Sequence, residues 1–241
     1  VSAALVMGKL LMTREIYRVR LGEICFDRKM IRRIVDIGLP AAIQQSITSF
    51  SNVIVQSYIN YFGTAAMAGY SATLRVDGFL QLPLQSFNMT ITTFVGQNIG
   101  AKEYKRVKKG IFTSWLMCSG IILVGSVIMF LKAPSIIGIF TEDAAVISVG
   151  SSMIRIFGSA YLFLPIIQIL NGALRGAGRS KVPMYFMLGC FVLLRQIYLM
   201  IAVPMTKNVS VVFAGWPVTW VVCAIGMLVY YFKVDWLPKE E

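Results

Sequence analysis

Apolar residues run in blocks of about twenty along this chain, and polar residues recur inside the blocks at helical spacing. Gln45, Ser49, Asn52, Gln56 and Asn60 fall three or four apart, so a helix carries all five on one face. Gln81, Gln85, Asn88 and Thr92 repeat the pattern, and Ser148, Ser151, Arg155 and Ser159 form a third stripe. A membrane-crossing helix needs about 20 mostly apolar residues. Six segments reach that length, at 34–62, 66–99, 111–131, 145–170, 182–203 and 209–232. The joints between them are short and polar, and none separates a soluble domain. The pattern therefore predicts an all-α membrane protein, a bundle of six transmembrane helices over 34–241. Residues 1–33 read as the end of a preceding membrane helix followed by a basic linker. The apolar stretch 1–7 lacks the features of a signal peptide, and the chain reads as a fragment whose N-terminal part is missing.

Composition narrows the class. Of 241 residues, 57% are hydrophobic and 14% charged, with a mean hydropathy of +0.71. Soluble proteins carry about 25% charged residues, so soluble enzymes and nucleic-acid-binding domains are excluded. The net charge of +12 lies in the joints. If the six spans alternate, seventeen Lys and Arg residues fall on one side, among them Lys105, Lys108, Arg175 and Arg179, and only Lys132 and Lys207 on the other. Basic loops stay in the cytoplasm, which puts the linker and the C-terminus there and Glu142 outside. The same residues are placed to touch anionic lipid. With no histidine, His-ligated metals and His-based catalysis are excluded. The four cysteines have no CxxC spacing and read as inert packing. No catalytic constellation, metal site or cofactor is expected.

Charge inside the spans is costly and marks function. Arg75, Asp77, Arg155 and Arg195 all lie there, and helical rise puts Asp77 and Arg155 each about 16 Å from the outer end of their helices. These four are expected to form a charge network, with Asp77 pairing with Arg155. The stripes are read as the wall of a polar cavity, since amides in hydrocarbon need partners; hydrogen-bond glue between helices is the alternative. Gln45, Thr48, Asn52, Gln56, Gln85 and Asn88 are the candidate substrate-binding residues. Pro40 opens the first span, and Pro83 and Pro165 interrupt the second and fourth, leaving the carbonyls of Phe79 and Tyr161 open to water or a ligand.

Two loop motifs carry a resemblance. Gly96-Gln97-Asn98-Ile99-Gly100-Ala101 ends the second span, and Leu174-Arg175-Gly176-Ala177-Gly178 follows the fourth. Both are helix-stop signals. Together with Gly38-Leu39-Pro40 and Arg75-Val76-Asp77, they resemble the C-terminal half of the MATE multidrug and toxic compound extrusion transporters, over about 31–232. The resemblance implies one lobe of a twelve-helix, two-lobe antiporter. Such a protein exports drugs or toxic organic compounds, many of them cationic, through a cavity between lobes that rock to open on alternate sides. It implies no enzyme activity and no cofactor beyond a coupling Na+ or H+. Its implied partners are a small organic substrate, the lipid bilayer and the missing N-terminal lobe, in a bacterial inner or plasma membrane.

The chain departs from the family pattern at the ion-coupling positions. Some sodium-coupled members carry acids on the first and fourth spans of this lobe. Here Thr48 stands near the first place, and 164–168 hold no acid near the second. Asp77 is the one deep carboxylate. A flippase for lipid-linked saccharides, from the same superfamily, and a non-transporting membrane scaffold remain alternatives.

Overall fold

The computed structural model describes residues 2–13 and 26–237, the side chains of 2–4, 33 and 37 excepted. Two compact units are present, Val1–Asp36 and Ile37–Glu241. In the first, α1 (Ser2–Met12) precedes the start of α2 (Arg28–Asn60). Asp27 caps α2, its carboxylate accepting from the Lys29 and Met30 amides at 2.8 and 3.2 Å. Most of the expected linker, with Arg14, Arg18 and Arg20, lies outside the described residues.

The second unit is built of helices joined by short turns, with no strand among its described residues. After α2 come α3 (Thr64–Gly100), α4 (Tyr104–Leu131) and α5 (Ala133–Gly138). Next are α6 (Ala144–Gly158), α7 (Phe163–Gly176) and α8 (Lys181–Leu188). A π-helical segment, Gly189–Leu194, joins α8 to α9 (Arg195–Thr206), and α10 (Val209–Lys233) ends the unit. The six expected spans map onto α2, α3, α4, α6 with α7, α8 with α9, and α10. Helices α4 and α10 and the continuous Lys181–Thr206 unit are each long and apolar enough to cross a membrane. The fourth span is broken, with α6 and α7 meeting at a 59° bend.

Several boundaries differ from expectation for physical reasons. The basic run after Glu103 forms the first turns of α4, because lysine and arginine are good helix formers and their long stems snorkel. The joint 132–143, expected as a loop, contains α5. Helices α2 and α3, with 33 and 37 residues, extend to roughly 50 and 55 Å, longer than the ~30 Å hydrocarbon layer. Both run unbroken through Pro40 and Pro83. The break comes instead just before Pro165, which sits in the first turn of α7, where its missing N–H is harmless. The Tyr161 carbonyl expected to be open accepts the Leu164 amide at 3.0 Å.

Helix α3 is the hub, packing against α4, α6 and α7, while α10 covers α6, α7 and α9. The two loop motifs meet at the α3–α7 seam. A Cβ on Gly172 would stand 2.4 Å from Ile91 and 2.6 Å from the Asn88 carbonyl, and one on Gly176 2.4 Å from the Thr92 carbonyl. Four residues apart, these glycines let the backbones touch. Gly178, at φ +76°, turns the chain after α7 in the left-handed conformation. One face of α4 shows a row of exposed apolar side chains, including Leu116, Val124 and Ile128, as a lipid-facing helix requires.

Candidate functional site

Asp77 lies on the half-buried face of α3, opposite the bend in the fourth span. The Tyr161 hydroxyl donates to its carboxylate at 2.6 Å, and Gln81, one turn along α3, donates at 3.2 Å. Tyr161 is fully buried within the turn that separates α6 from α7. The Asp77 carboxylate is thus tied to the bend between α6 and α7.

An aromatic layer extends from this pair. Tyr161 stacks on Trp220 at 5.7 Å, Phe157 contacts Trp220 and Trp216 at 5.2 and 5.3 Å, and Tyr70 lies 5.9 Å from Trp216. Its far end holds Arg195, 3% exposed. The guanidinium lies over the rings of Trp216 and Phe191 at 5.0 and 5.4 Å. It donates to Asn52 on α2 and Thr219 on α10, each at 3.3 Å, and its Nε–H has no acceptor among the described residues. Beside it, Ser51 donates to the Phe191 carbonyl at 3.2 Å, and Gln196 donates to the Ser51 hydroxyl at 2.8 Å. A π-helix bonds to i+5 and recurs at functional sites; here its carbonyl grips α2.

The expected charge network is dispersed. Arg155 is exposed on α6 and Arg75 exposed on α3, while both oxygens of Asp77 are engaged by Tyr161 and Gln81. The expected Asp77–Arg155 pair is therefore corrected to an Asp77–Tyr161 pair. Matching depth does not fix azimuth: Arg155 projects away from the interior, and the fully buried Tyr161, six residues on, turns inward at the bend. Tyrosine offered no charge or periodicity to single it out. Adjacency to a proline break was the one available signal.

The candidate substrate residues divide between exposure and interhelical bonding. Gln45 and Gln85 are exposed, and half-buried Gln56 donates to Asn60 at 2.8 Å. Asn52 is the partner of Arg195. Asn88 donates to the Gln168 carbonyl on α7 at 2.7 Å, and Thr48 keeps a buried hydroxyl without a partner among the described residues. Asn52 and Asn88 thus serve as glue between helices, whereas Gln45, Ser49 and Gln85 remain open. Missed by the stripes was Gln44, which is buried and accepts from Arg175 at 2.9 Å, so the Leu-Arg-Gly motif also holds α2.

The MatE family model matches residues 40–201, about two-thirds of the chain. The chain belongs to the MatE family. It is similar to the probable multidrug resistance protein NorM of Thermotoga maritima, 28% identical over 171 residues, covering 71% of this chain and 37% of that protein. The MatE fold is equally clear. A crystal structure of MATE in the straight conformation superposes with a TM-score of 0.87 at 17% identity, covering 95% of this chain and 52% of the other. A MOP superfamily transporter from Pyrococcus furiosus, described by the reverse polarity of its binding pocket, gives 0.86 at 18% identity, covering 99% and 54%. This MatE chain spans about a third of the length of the curated relatives it matches and about half that of the solved transporters. Its apolar helices and its family make it an integral membrane protein.

Proposed function

We propose that this chain is one half of an ion-coupled antiporter that exports organic, chiefly cationic, compounds by alternating access against a second six-helix lobe. The hydrogen bond from Tyr161 to Asp77 carries the reading, because it links the lobe's deep carboxylate to the bend of the fourth span. In the ionised state Asp77 accepts from Tyr161 and holds the bend. A proton or sodium ion on the carboxylate weakens that acceptor and frees the turn between α6 and α7. A cationic substrate competes for the same negative charge, so ion and substrate exclude one another. Such broken helices commonly stand at transporter binding sites. The excess of basic residues supports a cytoplasmic placement of the α3–α4 and α7–α8 joints.

The test uses the full-length protein in liposomes, with ethidium efflux followed under an imposed proton or sodium gradient. Asp77→Asn is expected to cut gradient-driven efflux by tenfold or more, which corresponds to about 1.4 kcal/mol of barrier. Efflux at the wild-type rate under both gradients would remove Asp77 from coupling.

A second reading has its own observation. Arg75 on α3 and Arg155 on α6 are both exposed, so the lobe presents positive charge as well as the Asp77 carboxylate. That polarity favours a flippase for a lipid-linked saccharide, whose pyrophosphate would meet those arginines. Tight binding of a polyprenyl-pyrophosphate sugar, with no ethidium movement, selects this reading.

A further inference from the structure

A groove of about 420 Å³ opens between α4, α7 and α10, away from Asp77 and the aromatic layer. Phe112 and Trp115 of α4, Ile169 and Leu170 of α7, and Tyr231 and Phe232 of α10 line it. Its floor is dry, with Ile169 and Leu170 1% and 5% exposed, while Phe112 and Phe232 form open rims at 61% and 78%. Rows such as Leu116 and Val124 on α4 are merely exposed apolar side chains. This groove instead has buried residues of α4 and α7 at its base, Ile111, Ile169 and Leu170, with half-buried Leu228 and Tyr231 of α10 at its side.

Its position along the helices is that of a membrane interface. The basic run of α4 stops at Lys109, two residues before the groove begins, and the apolar run of α10 stops at Phe232 with Lys233 next. Tyr231 and the buried Trp236, 5.4 Å apart, mark the same level, as aromatic side chains do at headgroup depth.

Charge identifies the occupant. Lys105, Lys108, Phe112 and Trp115 are spaced three, four and three apart, so they form one stripe along α4. Lys105 and Lys108 are exposed and stand one to two turns beyond the groove's mouth, on its own face. The segment 102–109 carries five basic residues against Glu103 alone. An apolar slot capped by paired lysines matches a molecule with a chain at one end and an anion at the other, and it repels a cationic drug. We propose that this groove binds one anionic phospholipid, with an acyl chain in the slot and the phosphate on Lys105 and Lys108. Basic pockets between membrane helices recognise acidic headgroups by this chemistry. The site rests on the membrane placement of α4 and α10 and not on the cargo or coupling of the transporter.

Trp115 is the built-in reporter. The full-length protein is placed in nanodiscs containing brominated phosphatidylglycerol or brominated phosphatidylcholine, and the Trp115 signal is the difference between wild type and Trp115→Phe. Phosphatidylglycerol is expected to quench at a lower mole fraction than phosphatidylcholine, by roughly fivefold for each lysine engaged. The Lys105→Ala/Lys108→Ala variant is expected to lose that preference, and Lys105→Arg/Lys108→Arg to keep it, which separates lost charge from lost folding. Equal quenching by both lipids makes the groove ordinary lipid-facing surface and overturns the proposal. So does absence of quenching by either, which means that protein covers the slot. Relief of the phosphatidylglycerol signal by ethidium also overturns it, assigning the groove to substrate.

Discussion

Two side chains with opposite charge behave very differently in this lobe. Asp77 is half-buried with a hydrogen bond to each carboxylate oxygen, whereas Arg195 is buried with its Nε left without a partner among the described residues. A hydrogen bond to a charged group contributes about 1.5–3 kcal/mol, so Tyr161→Phe should destabilise the detergent-solubilised protein by that order. Asp77→Asn and Tyr161→Phe share one contact and should combine non-additively in thermal unfolding. Additive losses would mean that the contact is not formed. Among the described residues Arg195 has no carboxylate partner, and a buried ion exchanged for an apolar group of similar volume is often neutral. Arg195→Met should therefore shift stability by less than about 1 kcal/mol, while Arg195→Ala should lose about 2–5 kcal/mol through the cavity it leaves. A thermal melt of both variants checks the ordering, and equal losses would assign the whole effect to the charge.

Among the helices, the α3–α7 seam leaves the least room. Gly172→Val places methyl groups where Ile91 and the Asn88 backbone already lie, and overpacking of this kind costs about 1–3 kcal/mol. The same change at Gly189, with open space around its Cβ position, should be mild, and the difference in melting temperature measures the seam. The sequence made much of this level legible. The six apolar blocks map onto helical units, and both loop motifs close their helices as read. The π-helical segment left no trace, because its span is apolar on nearly every side and carries no polar stripe whose phase an extra residue would shift. Asp77 was singled out by depth, but its partner was not. Depth can be counted along a chain, whereas the azimuth at which Tyr161 faces inward depends on a 59° bend that no spacing encodes.

The whole lobe carries its charge asymmetrically, with Lys105, Lys108 and Arg179 at one end of the spans and Lys132 and Lys207 at the other. A reporter fused after Lys132 should score as external and one after Arg179 as cytoplasmic; the reverse pattern would invert the lobe. Helix α2 is attached chiefly through side chains: Gln44 to Arg175, Ser51 to Phe191 and Gln196, and Asn52 to Arg195. Elements held by few packed contacts open first. Ser51→Ala should accelerate hydrogen exchange along α2 while leaving α3 and α10 unchanged, and uniform acceleration would make the lobe one cooperative unit.

A π-helical turn is an α-helix that holds one residue more than its length needs. The chain before Gly189 and after Leu194 therefore keeps the alignment of a single rod, although a residue has been added between them. Elsewhere in a membrane helix, losing a residue swings everything beyond it by about 100° around the axis and turns a lipid-facing row inward. In 189–194 the same loss is absorbed by a return to ordinary pitch. Deletion of Leu193, which is 64% exposed, should still give an inserted, folded lobe with Arg195 in place. Its cost should fall on the Phe191 carbonyl, which rejoins the helical ladder and drops Ser51. A residue lost from this stretch leaves the rest of the rod in register, at the cost of a looser α2.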